Sequence, residues 1–202
     1  MATLKDRFAH WKKSRSGWKK AGDIFFWVLL VLLILPGPRK VISTAVNRIV
    51  LLVRNPSMPG SSSRIQLQPD DYQWMLKDAG GGIISMDRFT GQVVFLNFWA
   101  TWCPPCVAEL PEIQRAYDRY GDRVAFVLVT GEEPERVRRF FEKHGYRLPV
   151  YYQAGPVPEV LAHNSIPTTF ILSRDGKLVL KKTGAANWDS GATSRMFEKL
   201  IR

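Results

Sequence analysis

The hydrophobic pattern changes character twice along the chain. Scattered polar and basic positions give way at Ile24 to an uncharged run of twelve residues, IFFWVLLVLLIL, ending at Leu35. Twelve helical residues rise about 18 Å against a hydrocarbon thickness of about 30 Å, so a spanning helix would recruit Trp18 and Ala21 while Lys19 and Lys20 snorkel. The length also suits a signal-peptide core, and Ser43-Thr44-Ala45 offers a small-x-small site, but Arg39 and Lys40 in between disfavour cleavage. VISTAVNRIVLLV, residues 41–53, sets Val41, Ile42, Ala45, Val46, Ile49, Val50 and Val53 on one helical face. That face suits either an interfacial lipid contact or packing on a following domain. PSMPGSSS, Pro56 to Ser63, has the composition of a flexible linker.

Beyond the linker the period changes. QVVFLNFW, Gln92 to Trp99, is a continuous apolar run rich in β-branched and aromatic residues, the pattern of a strand buried on both faces. Val107, Leu110, Ile113, Ala116 and Tyr117 then recur at helical spacing up to Gly121. A second strand, Arg123 to Thr130, leads into a second helix, Glu133 to Gly145, with Val137, Phe140 and Phe141 inward. PTTFILS and KLVLKKTG flank the turn signal Arg174-Asp175-Gly176 and predict a hairpin, and Ala192 to Ile201 predicts a closing helix. Two parallel-type units, a hairpin and a helix imply an α/β domain with a mixed central sheet and helices on its faces.

Charge sorts these segments. The 202 residues have a formal net charge of +11, but residues 1–60 hold eleven Lys/Arg against two Asp (+9), which leaves +2 for residues 61–202. The nearly neutral folded part lacks the basic face that nucleic-acid binding needs, so no nucleic-acid partner is expected. Seven basic residues precede the apolar run and four follow it before residue 61. That bias predicts a cytoplasmic N-terminus and an exported remainder. The expected organisation is a basic N-terminus (1–23), a membrane anchor with an amphipathic helical segment (24–54), a linker (55–64) and an exported domain (65–202).

The two cysteines, Cys103 and Cys106, lie in WATWCPPCVAELPEIQ, where the first strand meets its helix. Cys103 falls at or just before the helix start and Cys106 one turn inside, on the same face. A helix N-terminus stabilises a thiolate through its unpaired N–H groups and dipole. Two blander roles compete. A structural disulfide closing a four-residue loop constrains little unfolded-chain entropy. A zinc site needs two further ligands, and the only histidines are His10, His144 and His163, so no metal is expected. Redox chemistry outweighs both.

Together, FLNFWATWCPPCVAELPEIQ, the preceding TGQ, the IPTTFILSRDGKLV hairpin and the following TGAANWD resemble the membrane-anchored, thioredoxin-like thiol:disulfide oxidoreductases of the TlpA/ResA type, over about residues 65–202. The resemblance implies a thioredoxin-like fold, a Cys103–Cys106 redox disulfide, Cys103 as the attacking thiol and Cys106 as the resolving one. It also implies that Trp102 lies beside them at the surface. Pro167 matches the family's cis-proline, and Ile166 with Pro167 would form the wall along which an extended substrate segment pairs. Glu109 matches an acidic residue that manages protons near the active site; read without the family it is a solvated helix carboxylate. Asn97 stands where cytosolic thioredoxins carry a buried Asp, so any base role falls to Glu109. Pro111 matches a helix-kinking proline, and a bend that fits the helix to the sheet is its simpler reading.

Pro104 and Pro105 carry no N–H, which removes two donors from a Cys103 thiolate and pushes the couple toward the reducing side. The expected function is reduction of disulfides in exported client proteins, for example in cytochrome c or oxidase maturation, with no metal or organic cofactor. The resemblance also implies a membrane thiol-reducing conduit as electron donor. The expected location is the cytoplasmic (inner) membrane, contacted through the N-terminal segment, with the thioredoxin-like domain periplasmic or extracytoplasmic. The rival readings are a thioredoxin-fold peroxidase, and a copper-delivery or assembly factor that would use His163.

Overall fold

We describe the protein from a computed structural model, over residues 22–28 and 65–202. Residues 22–28 are helical, with Ile24, Phe25, Phe26, Trp27 and Val28 exposed. The rest of the basic N-terminus, the apolar run beyond Val28, the 41–53 segment and the 56–63 linker lie outside the described residues. Among the described residues, no helix is long and apolar enough to cross a membrane.

The domain is organised by β3 (Val93–Phe98), whose six side chains are all buried. Its β-branched and aromatic residues suit a strand covered on both faces. The strand is flanked by β4 (Val124–Thr130), parallel to it, and by β6 (Thr168–Leu172), antiparallel to it. The full sheet has seven strands in the order β2-β1-β5-β4-β3-β6-β7. Here β1 is Met75–Lys77, β2 Ile83–Ser85, β5 Val150–Gln153 and β7 Leu178–Thr183. The predicted hairpin is β6–β7, turned by Gly176 at φ 76°.

Three helices follow the expected segments: α1 (Pro104–Tyr120), α2 (Pro134–His144) and α3 (Gly191–Ile201). Both central prolines of the CPPC stretch lie in the first turn of α1, where a missing N–H costs no intrahelical bond. Leu110 and Ile113 of α1 are fully buried against the sheet. Each such side chain contributes roughly 1.5–3 kcal/mol relative to exposure. Gly145 ends α2 in the left-handed region at φ 71°, its N–H on the Phe141 carbonyl.

The period-2 alternation of β3 separates two cores. Val93, Phe95 and Trp99 face a cluster that includes Leu110 and Ile113 of α1, Val137 of α2 and Phe197 of α3. Val94, Leu96 and Phe98 face Leu67, Trp74, Met86, Phe89 and Leu161. Helices on the faces of the sheet are thus found on one face. The other is covered by the 67–89 segment, with its two short 3-10 turns, and by the turn at Glu159–Leu161. The β3-α1-β4 and β4-α2-β5 crossovers step in the same direction across the sheet, so right-handed connections put both helices on the same side.

Candidate active site

The site is built where β3 and β4 end and α1 begins, at the carboxyl edge of the parallel strands. Trp99 N–H donates to the Val129 carbonyl at 3.1 Å and Cys103 N–H to the Ala100 carbonyl at 3.2 Å, which turns the chain sharply into α1. Cys103 is the N-cap residue, and its Sγ accepts from Cys106 N–H at 3.3 Å. Cys103 and Cys106 are joined as a disulfide with a Cα separation of 5.3 Å. Both are buried, while the neighbouring Trp102 is 58% exposed.

The Ile166–Pro167 peptide is cis, and the Ile166 carbonyl oxygen lies 3.8 Å from Cys103 Sγ. Pro167 leads directly into β6, so the hairpin carries this segment against the disulfide. Trp102, Ile166, Phe98, Glu132, Gln153 and His163 share a cavity of about 260 Å³ beside the cysteines. His163 packs against Phe98 with ring centroids 3.9 Å apart and the planes tilted by 32°, and its Nδ1 sits 3.2 Å from the Leu161 carbonyl. A carbonyl only accepts, so Nδ1 carries hydrogen and donates to it. Among the described residues, no group of three or more His, Cys, Asp or Glu is arranged to hold a metal ion.

Glu109 is not a solvated helix carboxylate. It is 1% exposed and accepts three hydrogen bonds: from Asn97 Nδ2 at 3.0 Å, Ala186 N–H at 3.0 Å and Trp188 Nε1 at 2.9 Å. Burial raises its pKa to about 7, against the lowering effect of the three donors. Asn97 also donates to Thr169 Oγ1 at 2.9 Å, and the two residues face each other in the β3–β6 register. Pro111 lies inside α1, where its missing N–H leaves the Val107 carbonyl without a helical donor.

Several contributors escaped sequence reasoning. Glu132, whose side chain is 9% exposed, accepts from Thr101 N–H at 2.5 Å and from Thr101 Oγ1 at 2.7 Å. Arg136 Nε braces the same pair, 3.0 Å from Glu132 and 3.2 Å from Thr101 Oγ1. Trp188 and Thr169 complete the surroundings of Glu109 and Asn97. Adjacent parallel strands bring the segments following them side by side, and that rule could have directed attention to Gly131-Glu132.

A disulfide capping a helix on this sheet, beside a cis-proline, defines a thioredoxin-like thiol–disulfide oxidoreductase. The family model described as the AhpC/TSA family matches residues 70–181, and the chain belongs to that family. It is 33% identical over 131 residues to the thiol-disulfide oxidoreductase ResA of Halalkalibacterium halodurans, covering 63% of this chain and 71% of the relative. Against ResA of Bacillus subtilis the identity is 34% over 118 residues, covering 57% and 66%. Among solved structures, StoA from Bacillus subtilis matches with a TM-score of 0.50 at 28% identity, covering 62% of this chain and 93% of StoA. The exposed lipoprotein thioredoxin Etrx1 from Streptococcus pneumoniae matches with a TM-score of 0.53 at 25% identity, covering 63% and 98%.

Proposed function

We propose that this oxidoreductase reduces disulfides of exported client proteins. The observation that carries the direction is the donor count at Cys103 Sγ. Cys106 N–H, at 3.3 Å, is its backbone donor in the first turn of α1, and Pro104 and Pro105 have none to offer. A sparsely solvated thiolate makes the dithiol form less stable and a better electron donor.

In the proposed cycle the Cys103 thiolate attacks one sulfur of a client disulfide, whose other sulfur leaves as a thiolate. The Cys106 thiolate then attacks Cys103 and releases the second client sulfur, so two electrons pass to the client as the Cys103–Cys106 bond closes. Glu109, one turn after Cys106, takes the Cys106 proton, and the departing client thiolates take up the two protons given up by the pair. Trp102, Ile166 and Pro167 form the surface along which the client segment lies. No metal or organic cofactor takes part.

The N-terminal segment holds the domain at the cytoplasmic membrane through lipid contact, with its own end cytoplasmic and residues 65–202 periplasmic or extracytoplasmic. Support comes from the basic bias around the apolar run and from the exposed-lipoprotein description of the neighbour Etrx1. A membrane thiol-reducing conduit recharges the dithiol, and anchoring raises the local concentration of the two partners. The clients are exported proteins with disulfides, for example those handled in cytochrome c or oxidase maturation.

Cys106→Ser tests the reading, since it leaves Cys103 able to attack but unable to be released. In the native envelope it accumulates client proteins joined through Cys103, visible without reductant and absent in the Cys103→Ser variant. If no such species forms while the preparation consumes peroxide, the protein is instead a peroxidase on the same fold.

A further inference from the structure

The Glu109 carboxylate has three partners, and all of them only donate: the Trp188 indole, the Ala186 amide and the Asn97 NH2 group. That set satisfies the ionised form alone. Oε2 already receives two hydrogens, so a proton taken up by Glu109 belongs on Oε1, where it would meet the Asn97 NH2 group head on. Two donors facing each other at 3.0 Å cannot persist in a buried site. Asn97 holds the remedy within its own side chain. Its Oδ1 is buried and has no hydrogen-bond partner among the described residues, while both hydrogens of its Nδ2 are spent on Glu109 and Thr169. A half-turn of the amide exchanges oxygen and nitrogen without changing the shape of the side chain. Oδ1 then accepts from protonated Glu109 and from the Thr169 hydroxyl, both across distances already set by the fold.

We propose that Asn97 is a positioning residue for Glu109, and that its side-chain amide turns over each time the Glu109 carboxyl group gains or loses its proton. This rests on the reading of Glu109 as the base of thiol exchange. The proton resides on Glu109 Oε1 in one state and has left in the other, and the amide supplies the acceptor or the donor that each state requires. Thr169 follows the switch, because a hydroxyl can either accept or donate. The turnover therefore reaches β6, two residues beyond the cis-proline.

The groups around the carboxyl come from β3 (Asn97), β6 (Thr169) and the segment before α3 (Ala186, Trp188), and none of them ionises. Along α1 the ionisable neighbours are Cys106, held in the disulfide, and Glu112 and Arg115, which pair with each other while Arg115 also binds Asp189. In the oxidised protein the switch thus reports Glu109 alone.

The test is nuclear magnetic resonance on the oxidised full chain from about pH 5 to about pH 9, following the Glu109 side-chain carboxyl carbon and the Asn97 side-chain NH2 group. The expected result is a single midpoint for both, with the Overhauser contact from the Asn97 NH2 group to the Thr169 side chain severalfold weaker below it. Glu109→Gln should hold Asn97 in the turned state at every pH, because a glutamine that keeps its oxygen on Trp188 and Ala186 points its NH2 group at Asn97. If the Glu109 carbon titrates while the Asn97–Thr169 contact stays constant, the amide switch is refuted and the base reading survives. If Glu109 does not titrate in this range, the base reading and the switch built on it both fail.

Discussion

Trp188 Nε1 donates to Glu109 Oε2 across 2.9 Å, joining residues 79 positions apart in the chain. The indole is held for this by its edge against Phe95, with ring centroids 5.0 Å apart. An indole N–H only donates, so the contact favours the ionised carboxylate. Burial favours the neutral acid and prevails, leaving the pKa raised to about 7.

Stability should depend on pH through this group. The folded-state value of about 7 lies above the ordinary 4.5, so the folded protein binds the proton more tightly than the unfolded chain does. The resulting stabilisation is complete below about pH 4.5 and is lost as the pH rises through about 7. Denaturant titrations of the oxidised protein and of Glu109→Gln should diverge across that window. The wild-type chain is expected to lose on the order of 3 kcal/mol more than the variant.

Trp188→Phe keeps most of the packing and deletes one donor. The Glu109 midpoint should move up by about one pH unit, reflecting one hydrogen bond to a charged group. The carboxyl carbon resonance measures it directly. A downward shift would mean that the indole does not stabilise the charge.

Glu132 fixes the loop that presents Trp102 and Cys103. Glu132→Ala strips the acceptors from the Thr101 N–H and hydroxyl, and should cost about 1–3 kcal/mol of stability. Hydrogen exchange at the Thr101 amide should accelerate, and KM for a disulfide substrate should rise more than kcat falls. Thr101→Val, which keeps the backbone bond, should show a smaller change in the same direction.

Strong local patterns made much of this architecture legible. Six consecutive buried residues announce β3, the recurrence from Leu110 to Ala116 announces α1, and Asp175-Gly176 announces the β6–β7 turn. The strands β1, β2 and β5 are only three or four residues long, too short for periodicity to register. They exist through pairing: Leu76 is set against Gln153, and Leu128 against Val150. The site divides in the same way. Cys103, Cys106, Trp102 and Pro167 stand in recognisable sequence contexts. Trp188 acts only because a distant segment converges on Glu109 of α1, which no spacing within the chain records, and Glu132 reaches Thr101 in the loop before α1 only through the adjacency of β3 and β4.

Pro105→Ala restores an N–H at the second helical position, where a capping side chain commonly receives its hydrogen bond. A second donor to Cys103 Sγ should stabilise the thiolate and make the couple more oxidising. A shift of about 10–40 mV toward less negative potential is expected, since roughly 30 mV corresponds to a tenfold change in the exchange equilibrium. Redox equilibration against glutathione buffers, with both proteins side by side, measures the difference.

The reduction potential of the Cys103–Cys106 couple itself tests the account most directly. Equilibration of the wild-type domain with dithiothreitol buffers, read by thiol alkylation, should give a value toward about −250 mV, within the range of reducing members of this fold. A value near about −120 mV would mark a strong oxidant and contradict the reductase assignment.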